Sequence, residues 1–182
     1  MLLARPIETA DLMLRSLETA HASGPYAAWM RDPDITRFLE VRFDPPDAPR
    51  LEAFIATMNA SADNLLLGLF PRAEPQRHIG NIKLGPIDGR HKAAAIGIAI
   101  GAKDCWGRGY ATQAIAALSE YAFAVLGLER LDAGLYAGNE SSQRAFKRAG
   151  FVEEGRRRGG RLMDGVRIDE VLMGWLGCGP RR

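Results

Sequence analysis

The feature that most constrains this chain is a run of small and apolar residues, Ala93 to Ile100 (AAAIGIAI), followed by a glycine-punctuated turn and a helix-periodic segment. A strand that is apolar at every position has no face suited to water, so it belongs inside a sheet. Beyond the turn, Ala111, Ile115, Leu118, Ala122 and Val125 recur at spacings of three and four, the apolar stripe of a long helix that Gly127 stops. The turn itself, Trp106-Gly107-Arg108-Gly109-Tyr110-Ala111-Thr112, leads into the first turn of that helix. There the backbone N–H groups lack partners and carry partial positive charge, a setting suited to phosphate. Gly107 and Gly109 permit left-handed backbone and close approach of a ligand. Thr112 adds a hydroxyl and Arg108 a charge. The spacing matches neither GxxxxGK[ST] nor GxGxxG, so by itself the turn is also readable as structural punctuation.

The remaining pattern supplies the partners of this central strand. Leu12 to Leu17 reads as a first strand, with a helix over Tyr26 to Met30 that Asp32-Pro33-Asp34 interrupts. FDPPDAP (Phe43 to Pro49) is a loop delivering the chain into an amphipathic helix marked by Leu51, Phe54, Ile55 and Met58. Leu65 to Phe70 is a buried strand, and His78 to Leu84 alternates as a half-buried one. Gly85-Pro86 with Asp88-Gly89 predicts a turn into the central strand. Arg130 to Tyr136 follows as a strand, Ser141 to Ala149 as a helix ended by Gly150. Phe151 to Arg157 and Val166 to Trp175 close the chain as a strand pair around Met163-Asp164-Gly165. The expected fold class is α+β, a mixed, mostly antiparallel sheet flanked by helices.

Composition matters here for what it excludes. A chain of 182 residues without linker or repeat suits one domain (1–182), with 1–11 an N-terminal extension and 177–182 a C-terminal tail. The 24 basic and 22 acidic residues leave a net charge of only +2, too little field to suggest nucleic acid or an anionic membrane as partner. Cys105 and Cys178 are far apart and outside metal-ligand spacing, as are His21, His78 and His91, so neither a disulfide framework nor a metal is expected. With no signal peptide and no apolar run of about 20 residues, the expected location is the cytoplasm.

A second motif stands after the next strand, Gly138-Asn139-Glu140-Ser141-Ser142-Gln143-Arg144-Ala145-Phe146-Lys147-Arg148-Ala149-Gly150-Phe151. Read alone it is a short helix capped by Asn139 and closed by Gly150. Read with the first motif, it gives a chain that resembles the GNAT acetyltransferases, and among them the branch acetylating the N-termini of ribosomal proteins. AIGIAIGAKDCWGRGYAT is similar to that family's pyrophosphate motif, GNESSQRAFKRAGFVEEG to its second CoA-facing motif, and MRDPDITRFLE to the branch's N-terminal segment. The resemblance spans Leu12 to Trp175.

The resemblance implies a single GNAT domain using acetyl-CoA, with CoA as product and an amine as acceptor. Backbone groups of Ile98, Ala99 and Ile100 would hold the acyl-pantetheine arm, and those of Gly107, Arg108, Gly109, Tyr110 and Ala111 the pyrophosphate. Trp106 stands where many relatives carry Gln or Arg, and either packs the turn or touches the ligand. Asn139 and Ser142 fall where polar contacts to CoA are expected. Phe146 takes the place of a tyrosine that in many relatives protonates the departing thiolate; it has no proton to give, which leaves Ser142 or a water. Glu40, Asp169 and Glu170 are candidate bases. Trp29, Arg31 and Asn81 are candidate acceptor contacts.

The expected reaction is direct attack of the amine on the thioester in a ternary complex, with backbone N–H near Ile98 to Ile100 facing the developing oxyanion. An acetyl-cysteine route through Cys105 would want a neighbouring base, and the nearest histidine in sequence is His91. Arg156-Arg157-Arg158 with Arg161 reads either as a phosphate contact or as a solvated surface. The acceptor is a protein N-terminus, as the branch suggests, or a small amine such as an amino sugar, toward which HIGNIKLGPID and FKRAGF lean. Alternatives are a CoA-sensing interaction module without catalysis and a nucleotide-binding domain using the same turn. Strand edges at the termini leave room for a homodimer.

Overall fold

In a computed structural model describing residues 1–177, eight strands form one sheet in the order β1-β2-β3-β4-β5-β6-β8-β7. They are β1 (Ile7–Glu8), β2 (Leu12–Ser16), β3 (Leu65–Pro71), β4 (Gly80–Asp88), β5 (Ala93–Ile100), β6 (Arg130–Tyr136), β7 (Val152–Met163) and β8 (Val166–Leu176). Every neighbouring pair is antiparallel except β5 and β6. Five α-helices accompany them, α1 (Pro25–Trp29), α2 (Pro33–Thr36), α3 (Ala48–Ala60), α4 (Tyr110–Ala124) and α5 (Glu140–Arg148). This is the mixed, mostly antiparallel α+β sheet that the hydrophobic pattern predicts. Cys178 and the rest of the expected tail lie outside the described residues.

The alternation of strand side chains divides the core in two. One face carries Leu14, Leu67, Ile82, Ile96, Leu131 and Met173 against Ile115 and Leu118 of α4 and Phe146 of α5. The other carries Leu66 and Phe70 of β3 against Tyr26 and Trp29 of α1 and Leu51 and Ile55 of α3. Side chains as deeply buried as Phe70 and Ile55 each stabilise the fold by about 1.5–3 kcal/mol. The helix starts follow the capping signals in the sequence. Asp47 accepts from the Arg50 N–H at 3.0 Å with Pro49 in the first turn of α3, and Asp32 accepts from the Asp34 N–H at 2.9 Å.

The structure departs from the sequence reading in several places. Asp32-Pro33-Asp34, read as a break, opens the short helix α2 with Asp32 as its cap. Val125, read on the apolar stripe of α4, lies past the helix end and is exposed, because the chain leaves the helix before its side chain can turn to the core. Gly85-Pro86 is not the end of β4. A register shift between Leu84 and Ile87 absorbs it, and pairing resumes at Ile87↔Ala94. The last two strands are longer than expected, and the Arg156-to-Arg161 run lies within β7, held by pairing with β8. Ile7–Glu8, placed in the N-terminal extension, adds a short edge strand to β2. A two-residue strand is too short to leave a periodic signal.

Candidate active site

Parallel strands β5 and β6 pair only at Ala93–Ala95 with Arg130–Asp132. Beyond Ala95 they diverge, while β5 stays bonded to β4 as far as Gly80↔Ile100 and β6 to β8 as far as Tyr136↔Glu170. The backbone groups of Ile96–Ile100 that point toward β6 therefore meet a wedge-shaped gap rather than a neighbouring strand. The α4 face of this gap is covered. On the opposite face Ala95, Gly97 and Gly134 are exposed, so small side chains floor an open approach to the wedge.

At the end of β5 the chain enters the glycine turn. Gly107 (φ +75°) and Gly109 (φ +79°) are left-handed, and a Cβ added at either would meet nothing within 4 Å, so space opens in front of both. Gly109 caps α4 without a side chain, and the first bond of the helix runs from the Gln113 N–H to the Gly109 carbonyl at 3.1 Å. The N–H groups of Tyr110, Ala111 and Thr112 are thus left over at the positive end of a fifteen-residue helix. Trp106 is 46% exposed and donates its indole N–H to the Ile100 carbonyl at 2.9 Å, tying the turn to the tip of β5. Lys103 pairs with Asp32 (2.8 Å) and Asp34 (2.6 Å), and Arg77 with Asp104 (2.6 Å), which fixes the approach to the turn against α2 and the β3–β4 connection.

Across the wedge, Tyr136 ends β6 and stands opposite Glu170 of β8. Its hydroxyl donates to Glu40 Oε1 at 2.8 Å, and Arg161 Nη1 donates to the same oxygen at 2.6 Å. Glu40 Oε2 has no hydrogen-bond partner among the described residues. Arg161 also pairs with Glu170, whose other oxygen takes Arg157 at 2.6 Å. Glu170 is 3% exposed and committed to two guanidinium groups, which leaves it no free oxygen as a base. Burial, and then the Glu40 bond, raise the Tyr136 phenol above its usual range. Asp169 accepts the Gly159 N–H at 2.9 Å and serves the β7–β8 hairpin.

The second motif uses its residues partly for structure. Asn139 Oδ1 accepts from the Ser142 N–H at 3.2 Å and the Ser141 hydroxyl at 3.1 Å, so that oxygen is spent on the cap of α5. Ser142 is half-buried in the first turn, its hydroxyl without a partner among the described residues. Phe146 is 1% exposed and meets Phe151 edge-on at 5.0 Å, so its ring is core and presents no surface to a ligand here. Cys105 is buried, and burial pushes its thiol up, the reverse of an activated nucleophile.

The three candidate acceptor contacts separate. Trp29 lines a cleft of about 700 Å³ with His21, His78, Gly101 and Lys103, whereas Arg31 lines a different depression beside Arg37, Arg42 and Asp164. Asn81 sits on the open face, opposite Ala99. His78, Tyr136 and Gly101 join the site from outside the sequence-predicted set, and Arg161, read as a phosphate contact or solvated surface, is instead paired with Glu40 and Glu170. For Tyr136 the alternation Asp132-Gly134-Tyr136 was a usable signal; the others depend on contacts between distant segments.

The model of the acetyltransferase (GNAT) domain matches residues 11–152, and the chain belongs to that family. It is 28% identical over 151 residues to the uncharacterised N-acetyltransferase YoaA of Bacillus subtilis, covering 82% of this chain and 84% of that one. Among solved structures, RimL, a ribosomal α-N-protein acetyltransferase in complex with coenzyme A, superposes with a TM-score of 0.83 at 17% identity over 94% of this chain and 98% of that one. Spermidine N-acetyltransferase from Vibrio cholerae, in complex with CoA and spermine, gives 0.81 at 22% identity over 92% and 96%. At those identities the two structures speak for the fold alone. Among the described residues no helix is long and apolar enough to cross a membrane, and no cluster of His, Cys, Asp and Glu has a metal-binding arrangement.

Proposed function

We propose that this chain transfers the acetyl group of acetyl-CoA to a primary amine by direct attack within a ternary complex. The observation that carries the reading is the wedge between β5 and β6, ending at the unpaired N–H groups of α4. The residues fit the cofactor: the open space before Gly107 and Gly109 suits a pyrophosphate, and the free strand edge of Ile98, Ala99 and Ile100 suits an amide-bearing arm. Acetyl-CoA supplies the activated acyl group as a thioester. Backbone N–H groups of the wedge orient its carbonyl and stabilise charge developing on the oxygen, an effect of several kcal/mol where the donors are preorganised.

The amine approaches over Gly97 and Ala99, the face that α4 and α5 leave open. Glu40, with Oε2 free and Oε1 anchored by Tyr136 and Arg161, takes the proton from the incoming ammonium directly or through a water. As the C–N bond forms and the C–S bond breaks, the proton lost by the nitrogen passes to the leaving sulfur, with Ser142 in the first turn of α5 relaying it in place of the absent tyrosine. Trp106, Arg108 and Thr112 border the pyrophosphate, and the Asn139 amide nitrogen contributes a donor beside the cap.

Thermal shift with acetyl-CoA, CoA and ATP, followed by thiol release against a panel of amines, tests this reading. Stabilisation by both CoA species with thiol release on an amine supports it. Stabilisation without release on any amine leaves a CoA-binding module, and no shift with either CoA species removes the reading altogether.

A further inference from the structure

His78 is 7% exposed and enclosed by aromatic rings: Phe70 stacks on it at 5.2 Å, while Trp29 (4.9 Å), His21 (5.5 Å) and Tyr26 (6.1 Å) meet it edge-on. Its Nε2 lies 3.0 Å from the Gly80 carbonyl oxygen and 2.8 Å from Asn81 Oδ1. The Gly80 carbonyl only accepts, so Nε2 must carry the proton. That fixes the next residue. A flipped Asn81 amide would set N–H against N–H, so Oδ1 faces the imidazole and Nδ2 turns away from it. Nδ1, the lone-pair nitrogen, is buried and without a partner. Burial holds the ring neutral, with its pKa pushed down to about 4, so the Nε2–H donor persists across the physiological range.

Asn81 is itself 8% exposed, lies on the open face opposite Ala99, and has Lys83 as its neighbour on that face, opposite Gly97. Its Nδ2 donates to no described residue, yet it is not among the buried nitrogens without a partner, so it keeps contact with solvent. A nearly buried amide whose nitrogen is turned from His78 and bonded to no described residue, beside the strand proposed to hold the thioester, has a donor left for an incoming oxygen.

We propose that His78 is a positioning residue that locks the Asn81 amide with its NH2 toward the acceptor, and that Asn81 selects amines carrying a carbonyl or hydroxyl oxygen on the carbon next to the amine-bearing one. The proposal rests on the acetyltransferase reading above and narrows its acceptor. α-Amino acyl groups and vicinal amino alcohols satisfy the donor. Bare alkylamines leave it unpaired, and the Lys83 ammonium on the same face disfavours acceptors of multiple positive charge.

The test compares alaninamide, 2-aminoethanol and n-propylamine at saturating acetyl-CoA for the parent, Asn81→Leu, His78→Phe and His78→Gln. Loss of one hydrogen bond predicts about a tenfold fall in kcat/KM for the two oxygen-bearing amines in Asn81→Leu and His78→Phe, carried by KM. Values for n-propylamine should move less than about threefold. His78→Gln restores an N–H at the position of Nε2 and should recover most of the loss. A uniform fall in kcat for all three amines overturns the proposal and assigns the Asn81 donor to the thioester carbonyl. Nitrogen NMR of the parent gives an independent reading that survives if His78→Phe does not fold: the Nε2–H tautomer at pH 7 is expected, and Nδ1–H refutes the locked amide. Stabilisation by acetyl-CoA with equal turnover of all three amines by the parent defeats this proposal alone. No stabilisation defeats the acetyltransferase reading beneath it.

Discussion

Gly101 joins the tip of β5 to the segment leading into the glycine turn, at a place where two segments distant in sequence touch. A Cβ added there would lie 1.9 Å from Trp29 Cδ2, 2.3 Å from Cε3 and 2.4 Å from Cε2. Carbon atoms prefer about 3.5–4.0 Å, so indole and backbone must separate by roughly 1.5 Å. The backbone resists, because the Gly101 and Ala102 N–H groups both donate to the Ile79 carbonyl, at 2.9 and 3.0 Å. The indole resists too, at 8% exposure and only 4.9 Å from the His78 ring. Overpacking of this kind costs about 1–3 kcal/mol, and the doubly anchored site puts Gly101→Ala near the upper end. For a chain of this length that lowers the thermal midpoint by about 6–12 °C. Gly97→Ala is the matched control, since a Cβ there meets nothing within 4 Å, and it should leave the midpoint nearly unchanged. In a Trp29→Ala background the clash is gone, so Gly101→Ala should then cost about zero, a coupling of about 3 kcal/mol by double-mutant cycle. Scanning calorimetry on the four proteins decides the matter. Equal midpoints for Gly101→Ala and Gly97→Ala, or a cost that survives Trp29→Ala, would refute the reasoning.

Gly109→Ala forces an alanine to φ +79°, a left-handed conformation costing about 1–2 kcal/mol, exactly where α4 presents its free N–H groups. Acetyl-CoA binding by calorimetry should weaken about tenfold as the turn relaxes, and unchanged affinity would show that the turn does not hold the ligand. His78 also gives the protein a pH-dependent stability. Its pKa, about 4 in the fold against 6.5 ordinarily, means that the unfolded chain binds the proton first. The stability associated with the neutral ring is therefore complete above about 6.5 and lost as pH falls toward 4, about 3 kcal/mol in all. Urea midpoints measured from pH 7 to 4 should fall more steeply in the parent than in His78→Gln; parallel profiles would exclude the effect.

The buried Glu170 shows why a sequence reading of candidate bases overcounts. In sequence Glu40, Asp169 and Glu170 are equivalent carboxylates near plausible positions. In the fold, Glu170 is bound by Arg157 and Arg161, and Asp169 by the Gly159 N–H. Glu40 and Asp169 each keep one oxygen without a partner among the described residues, and of the two it is Glu40 that is tied to Tyr136 at the end of β6. Arg161 serves both Glu40 and Glu170, so it links the loop after α2 to the β7–β8 hairpin across the mouth of the site.

Local chemistry was enough to determine the elements and their order. The apolar run Ala93–Ile100 could be nothing but an interior strand, the stripe from Ala111 to Ala122 fixed α4, and Asn139, Gly127 and Gly150 marked the start of α5 and the ends of α4 and α5. These signals act within a few residues, through side-chain period and capping, and they are written in the chain directly. The wedge was a different matter. Nothing in Ala93–Ile100 or Arg130–Tyr136 states that pairing stops after Ala95↔Asp132, because strand divergence is settled by how β4 and β8 hold the two strands apart. The same holds for Tyr136 with Glu40, for Gly101 against Trp29, and for His78 against the Asn81 amide. Each depends on a contact between separate elements of the fold, where burial removes water as the alternative partner and leaves a single arrangement that satisfies both groups.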